Sequence, residues 1–486
     1  MYFIGVDLGT SAMKLIMMDE TGKIWRSVSK EYPNSFPKPG WSEQEPADWY
    51  AACISGVREL VEGVDASLVR GLSIAGQMHG LVTLDEHDEV LRPAILWNDG
   101  RSGEEVSFLN GEIGRERLVS FTGNIAFAGF TAPKIIWMQK NEPELFSKIK
   151  KIMLPKDYLV YRLTGEFVTE PSDASGMLLF DVKNRQWSDD MIAICGIDRE
   201  WLPQVHESYE VVGEIRGDAA SDMGLPSGVK VIAGVGDNAA AAIGMGVTGE
   251  GACNISLGTS GTLFISRDRF SLDPGNALHS FAHADGSYHL MGCMLSAASC
   301  NKWWMDGIIG TDDYAAEQSG ISDDRLGRNP VMFLPYLMGE RSPHNDPDAR
   351  AAFIGMSMDT CRPDMTQAVL EGVAFGVRDM LEAARAAGCD VRTSRICGGG
   401  AKSPLWQKIV ADVCDLTLEI PECEEGPGMG AAMLSMVGCG VYSDLSEAAA
   451  SIVRIRETIS PDREIVKRYE GKYKTYIKLY PALSNM

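Results

Sequence analysis

Short apolar runs separated by turn residues open the chain. Tyr2–Leu8 is apolar and β-prone, Gly9-Thr10-Ser11 follows, then residues 13–18, the turn Glu20-Thr21-Gly22 and residues 23–29. This pattern predicts strand, tight turn, strand, turn, strand. A helix is expected over 46–61, strands over 69–74 and 81–84, and helices over 133–141, 158–163 and 189–195. A Gly/Ser/Pro-rich stretch at 217–228 leads into a strand at 229–235 and a small-residue helix at 238–245. Residues 252–257 and 262–266 then read as strands around Gly258-Thr259-Ser260-Gly261, with helices at 295–304, 365–387, 404–414 and 428–437. Strands alternating with helices predict an α/β architecture.

One internal repeat organises this order. Leu8-Gly9-Thr10-Ser11 recurs as Leu257-Gly258-Thr259-Ser260, 249 residues later and again between two strands. The matched setting suggests two related lobes. The boundary is expected near 245–251, giving lobes 1–246 and 247–486, with a last helix near 462–479 packing back on the first. The acidic stretch Glu422–Glu425 reads as a solvated loop.

Composition narrows the function. The chain has 486 residues, with 45 Lys plus Arg against 67 Asp plus Glu, a net charge of −22. That balance argues against a nucleic-acid partner, which needs a basic face, and against an anionic membrane surface. An anionic small molecule stays open, because backbone N–H groups and a metal can hold it. The 11 cysteines contain no C-x-x-C pair, so the expectation is a reducing, cytoplasmic setting without disulfides or zinc. The N-terminus meets Asp7 too early for a signal peptide, and no apolar run is long enough to span a membrane.

Four segments carry candidate chemistry. Each Gly-Thr-Ser turn is either an ordinary hairpin turn or a nest of N–H groups for phosphate oxygens. Asp7 precedes the first turn where Ser256 precedes the second, and a carboxylate beside phosphates points to Mg²⁺. Gly234-Val235-Gly236-Asp237-Asn238-Ala239 partly fits a dinucleotide fingerprint. Asp237 would stand where a pyrophosphate should lie, so Asp237 is instead a helix cap or a general base aimed into a cleft. Gly76-Gln77-Met78-His79-Gly80, Trp97-Asn98-Asp99-Gly100-Arg101 and Trp41-Ser42-Glu43-Gln44 together resemble a carbohydrate lining. Cys397-Gly398-Gly399-Gly400-Ala401 is a flexible turn or a close approach to a flat ligand. Walker A and protein-kinase motifs are absent from the sequence.

Two longer segments then bring a family into view. Gly129-Phe130-Thr131-Ala132-Pro133-Lys134 and the residues up to Asn141 fit one signature of the FGGY carbohydrate kinases. Ala351-Ala352-Phe353-Ile354-Gly355-Met356, continuing through Asp364 to Glu371, fits the other. The chain resembles this family over essentially its whole length, and Gln77-Met78-His79-Gly80 is most similar to its ketopentose kinases.

The resemblance implies two ribonuclease H-like lobes of the actin, Hsp70 and sugar kinase class around a cleft. It implies transfer of a phosphoryl group from MgATP to the 5-hydroxyl of D-xylulose, with Asp237 as base. Met78, His79 and Asn238 would touch the sugar, joined on context by Gln77, Trp97 and Asp99. Asp7 would serve Mg²⁺. Gly9, Thr10, Ser11 and Lys14, with Gly258, Thr259, Ser260 and Gly261, would meet the ATP phosphates. Gly398, Gly399, Gly400 and Ala401 would border the adenosine. Another ketopentose or polyol, such as D-ribulose or L-xylulose, is the alternative substrate, and a non-catalytic sugar-binding protein the rival class. The expected partner is a small-molecule sugar, and a homodimer is admissible.

Overall fold

The structure, a computed structural model, describes residues 1–423 and 425–484. In the first half, strands β1 (Tyr2–Leu8), β2 (Ala12–Asp19), β3 (Ile24–Glu31), β4 (Val69–Gly76), β5 (Val211–Glu214), β6 (Lys230–Ile232) and β7 (Val235–Gly236) form one seven-stranded sheet. Its order is β5-β6-β4-β1-β2-β3, with β7 also on β4. In the second half, β8 (Cys253–Leu257), β9 (Gly261–Arg267), β10 (His279–Ala282), β11 (Tyr288–Met294), β12 (Thr393–Cys397), β13 (Thr417–Pro421) and β14 (Ile455–Ile459) form another. Its order is β10-β11-β9-β8-β12-β13-β14.

The connections match. β1 pairs antiparallel with β2 and parallel with β4, and β8 pairs antiparallel with β9 and parallel with β12. The two Gly-Thr-Ser turns therefore occupy equivalent places, and the residues after β4 correspond to the glycines after β12. The fold is the two-lobed α/β arrangement that the repeat implied.

Period-2 alternation along β1 serves two cores. Ile4, Val6 and Leu8 enter the core beneath helix α1 (Pro46–Leu60), and Phe3 enters a core on the other face. Both faces are covered, so the strand is apolar nearly throughout. Asp7 shares the face of Phe3 and Gly5. The expected strand at 229–235 splits at Gly234, whose φ is +94° and whose Cβ would stand 2.6 Å from the Ile74 carbonyl oxygen. Only glycine fits there. The break lets β7 run beside the end of β4, with Gly236 level with Gly76.

Helix α2 (Thr131–Asn141), helix α3 (Pro155–Thr164) and helix α4 (Asp237–Gly244) complete the first half around the site. In the second, α5 (Arg362–Ala386) and α6 (Pro404–Cys414) cover the second sheet. The expected helix at 295–304 is regular only over Ala298–Lys302 and continues with a wider turn through Trp303–Ile309. Trp304 is buried there and Trp303 stacks on Phe333.

Helix α7 (Gly426–Gly438) comes from the second half but packs on β1, β2 and β4. It crosses α4 backbone to backbone. A Cβ on Gly430 would stand 2.0 Å from the Ala240 carbonyl oxygen, and one on Gly244 2.0 Å from that of Gly426. The packing thus does not follow a clean split at residue 246. The expectation for the last helix is corrected. Helix α8 (Arg463–Tyr476) lies on the second core, through Ile465, Tyr469, Tyr473 and Tyr476. The reason is its tyrosine hydroxyls, which need buried acceptors: Tyr469 donates to Glu371 and Tyr473 to Asp379, both on α5. Of the acidic stretch, Glu424 lies outside the described residues. Glu422 is an exposed loop residue, and Glu425, partly exposed at the position before α7, pairs with Lys14 at 2.6 Å.

Candidate active site

Asp237 is the first residue of α4, placed at the end of β4 by the Gly234 turn. Its Oδ1 accepts the Asn238 backbone N–H at 2.7 Å and Asn238 Nδ2 at 3.1 Å. Burial and the nearby Asp7 carboxylate push its pKa up to about 7. Asp7 itself is pushed up to about 6, by burial against the opposing pull of Lys14. Two poorly compensated carboxylates therefore face one region of the cleft. Among the described residues, no group of three or more His, Cys, Asp or Glu is placed to hold a metal ion.

The first turn follows Asp7. The Gly9 N–H donates to the Ala12 carbonyl at 3.1 Å, and Tyr32 donates its hydroxyl to the Gly9 carbonyl. Trp97 Nε1 donates to Thr10 Oγ1 at 2.9 Å. Trp97 is 42% exposed, so its ring forms part of an open wall beside the turn. Ser11 and Lys14 are exposed.

His79 sits after β4 with φ at +70°, a region disfavoured outside glycine. Lys134 and Thr131 on α2 hold this backbone: Lys134 Nζ donates to the His79 carbonyl at 2.9 Å and to that of Gly129 at 2.8 Å, and Thr131 Oγ1 donates to His79 at 3.0 Å. Lys134 is fully buried, and burial lowers its pKa to about 7. The His79 ring is 2.8 Å through Nδ1 from the Gly176 carbonyl. A carbonyl only accepts, so Nδ1 carries the proton and Nε2 is left as an acceptor. Burial and the Lys134 charge lower the pKa of His79 to about 3, so the ring is neutral. Met78 packs on Gly236, and its sulfur takes a long contact from Asn238 Nδ2 at 3.7 Å. Asp237, Asn238, Met78 and His79 are thus brought together.

The amide nitrogen of Gln77 and both oxygens of Asp99 are engaged within the protein. Gln77 Nε2 donates to Gln44 Oε1 at 3.0 Å, and Gln44 donates in turn to the Thr10 carbonyl, so Gln77 braces the first turn from below. Asp99 is buried with both oxygens engaged. It accepts from Ser42 N at 2.6 Å and from Arg101 Nε and Nη2 at 2.8 and 2.7 Å. These bonds tie the loop at Asp99 to the segment at Ser42, so Asp99 here holds local structure.

A brace missed in the sequence lies beneath Asp237. Lys156 on α3 is fully buried, 2.6 Å from Asp157 and 3.6 Å from both Glu170 and Asp173. Its stem fills the space that Cβ atoms on Gly76 and Gly234 would need. Ser172, beside this cluster, accepts the Gly236 N–H at 3.0 Å. One cation among three carboxylates leaves Asp173 pushed well above the usual carboxylate range, chiefly by burial. Lys156-Asp157 in a run after an apolar strand was the available signal.

The second turn opens on a cavity of about 980 Å³, lined by Gly258, Thr259, Ser299, Lys302, Gly399 and Gly400 among others. The φ of +91° at Gly398 brings the chain onto the second turn, where its Cβ would stand 2.7 Å from Leu257. Gly399 faces open space, whereas a Cβ on Gly400 would press on Trp406. Ala401 is buried behind the wall. Tyr314, Gln318 and Asn301 also line the cavity and went unread in the sequence, because no local pattern ties them to a turn 50 residues away.

Equivalent turns at the ends of equivalent strands, buried carboxylates at one and a large cavity at the other, define a two-lobed phosphotransferase. Residues 2–244 match the N-terminal domain and residues 253–439 the C-terminal domain of the FGGY family of carbohydrate kinases. The chain belongs to that family. It is 38% identical over 483 residues to the xylulose kinase of Escherichia coli K12, covering 99% of each chain. It superposes on the crystal structure of a xyloylose kinase from Brucella ovis with a TM-score of 0.95 and 38% identity, over 100% of both chains. A gluconate kinase from Lactobacillus acidophilus reaches 0.94 at 26% identity, over 99% of this chain and 98% of that one. Backbone likeness alone therefore leaves the substrate open.

Proposed function

We propose that the protein transfers a phosphoryl group from ATP to the 5-hydroxyl of D-xylulose, with Asp237 as the general base. The single observation that carries the reading is the constellation of Asp237, Asn238, Met78 and His79 at the end of β4. The 38% identity to a xylulose kinase over nearly the full length supports the choice of sugar.

Asp237 Oδ2 accepts the hydroxyl proton as the oxygen attacks. In a loose transition state that proton leaves late, so the base needs position more than strength. His79 Nε2 accepts a hydrogen bond from a second hydroxyl, and Asn238 holds Asp237 in place. The cavity beside Thr259 and Gly399 takes the nucleotide, and the turns at 9–11 and 258–261 receive its phosphates through backbone N–H groups. The donor set fits a hard divalent cation, since Asp7 is a buried carboxylate without a full counter-charge beside the first turn. Asp7 would hold Mg²⁺, which when bound neutralises phosphate charge. Closure of the lobes excludes water, which would otherwise take the phosphoryl group. The described residues contain no disulfide, which favours a cytoplasmic setting.

The test is ADP production with MgATP against D-xylulose, L-xylulose, D-ribulose, L-ribulose, gluconate, glycerol and no sugar. A D-xylulose preference of about tenfold or more in kcat/KM, ~1.4 kcal/mol, is the expected result. A preference for gluconate or another sugar moves the error to the pocket around His79.

A further inference from the structure

His79 packs against a cluster of rings in which Phe130 and His279 are buried and Phe127 is partly exposed. His79 lies 4.8 Å from Phe130, Phe130 lies 5.4 Å from Phe127, and His279 of the second sheet lies 4.9 Å from Phe127. The guanidinium of Arg341 covers Phe127 from the far side at 5.6 Å. It forms no ion pair and no side-chain hydrogen bond with any described residue, although Arg341 is partly buried. Its charge reaches inward, because it contributes to lowering the pKa of both His79 and His279.

The backbone under this side chain is fixed on both sides. Arg341 N donates to Glu340 Oε1 at 2.7 Å, and that oxygen also accepts Leu295 N at 3.2 Å. The Ser342 N–H donates to the Cys293 carbonyl at 3.0 Å, Ser342 Oγ accepts Cys293 N at 3.1 Å, and Ser342 Oγ donates to the Ala277 carbonyl at 2.6 Å. Glu340 Oε1 is taken by these two backbone donors, and Glu340 forms no ion pair with the Arg341 guanidinium among the described residues. The second half thus presents a braced arginine, with its donors unspent, to a pocket wall built by the first.

We propose that Arg341 binds the end of the sugar remote from the reacting hydroxyl. This rests on the reading of the site as a D-xylulose kinase. Contacts link the two groups: Asp237 to Asn238, Asn238 to Met78, His79 to Phe130, Phe130 to Phe127 and Phe127 to Arg341. A sugar whose 5-hydroxyl meets Asp237 directs its first two carbons toward Arg341. A guanidinium fork carries parallel N–H donors and no acceptor. The 2-carbonyl and 1-hydroxyl oxygens of a ketose offer two adjacent acceptors that match it.

The experiment compares the native enzyme with Arg341→Ala and Arg341→Lys, on D-xylulose and on its 1-deoxy analogue, recording kcat, both KM values and melting temperature. Arg341→Ala should raise KM for D-xylulose on the order of tenfold or more, the worth of a charge-assisted hydrogen bond. Its kcat and its KM for ATP should stay within about threefold, well under the ~1.4 kcal/mol of a tenfold change. On the 1-deoxy analogue the penalty should be clearly smaller, and Arg341→Lys should recover only part of the loss. An equal penalty on both sugars, a fall in kcat with KM unchanged, or no effect in a folded variant would overturn the proposal. A native enzyme that ignores D-xylulose but turns over another ketose rejects the substrate reading alone, and the same comparison is then made with that ketose and its 1-deoxy form. A native preference for a sugar lacking the hydroxy-ketone end rejects both.

Discussion

Replacing Asp237 by asparagine separates the chemistry of the carboxylate from its electrostatic cost. Asparagine keeps an oxygen to accept the Asn238 N–H, so the start of α4 retains its bond. What is lost is a charge opposed by burial and by Asp7, which raise the pKa from 3.8 to about 7. At ~1.4 kcal/mol per tenfold in proton affinity, the ceiling on the native penalty is ~4 kcal/mol. Asp237 keeps partial solvent exposure, so screening reduces this to about 1–2 kcal/mol. The unfolded chain releases this proton near pH 3.8, whereas the folded chain holds it to about 7. Between those values the folded state binds more protons, so native stability falls as pH rises, and the full penalty stands above pH 7. Asp237→Asn escapes it. Nucleotide-free melts at pH 4, 5.5, 7 and 8.5 should show no advantage for the variant at pH 4 and a growing one up to pH 7. Turnover should fall on the order of 10²-fold or more. A stability difference that ignores pH would refute the electrostatic reasoning, and near-native turnover would remove Asp237 from catalysis.

Other tests are independent. With the native enzyme, kcat/KM should rise with pH up to about 7, with apparent values that belong to the Asp7 and Asp237 pair; a flat profile from pH 5 to 8 argues against an ionised base. Lys134→Met frees the His79 backbone. It should raise KM for sugar and lower stability by about 1–3 kcal/mol, measured by steady-state kinetics and urea melts. Lys156→Met strands three buried carboxylates and should cost on the order of 3–5 kcal/mol, visible as a drop in melting temperature. Gly399→Val adds bulk where a Cβ meets nothing but the cavity. It should leave folding intact and weaken ATP by ~1–3 kcal/mol, with KM for sugar unchanged.

What could be read in advance was local. The repeated turns follow from glycine and hydroxyl residues between apolar runs, and β1, β2 and α4 stand where those runs place them. The Asp237 and His79 pair was legible because each follows a strand. The engagement of Asp99 was not legible, because Arg101 two residues on donates to both its oxygens only in the folded loop. Lys134 and Lys156 look like surface lysines in the sequence, and only burial against carbonyls and carboxylates gives them a role. The destination of α8 depended on where Glu371 and Asp379 would offer acceptors, which is a property of the assembled core. Arg341 lacked any local mark, because its neighbours Phe127 and His79 are more than 200 residues earlier.

The crossing of α4 and α7 has a consequence for synthesis. The face of the first sheet that carries Phe3, Ile16 and Ala75 is covered by Met429, Ala432 and Met433 of α7. During translation those strands emerge first, yet their lid is made some 400 residues later. A ribosome-bound chain that has completed the first half holds a bare apolar sheet, and no local rearrangement supplies the missing helix. Folding of the first half is therefore post-translational in its last step, and the nascent chain presents a surface that chaperones recognise for most of its synthesis. A separately expressed first half should be insoluble alone and recover only when mixed with the second, since it lacks a wall of its own core.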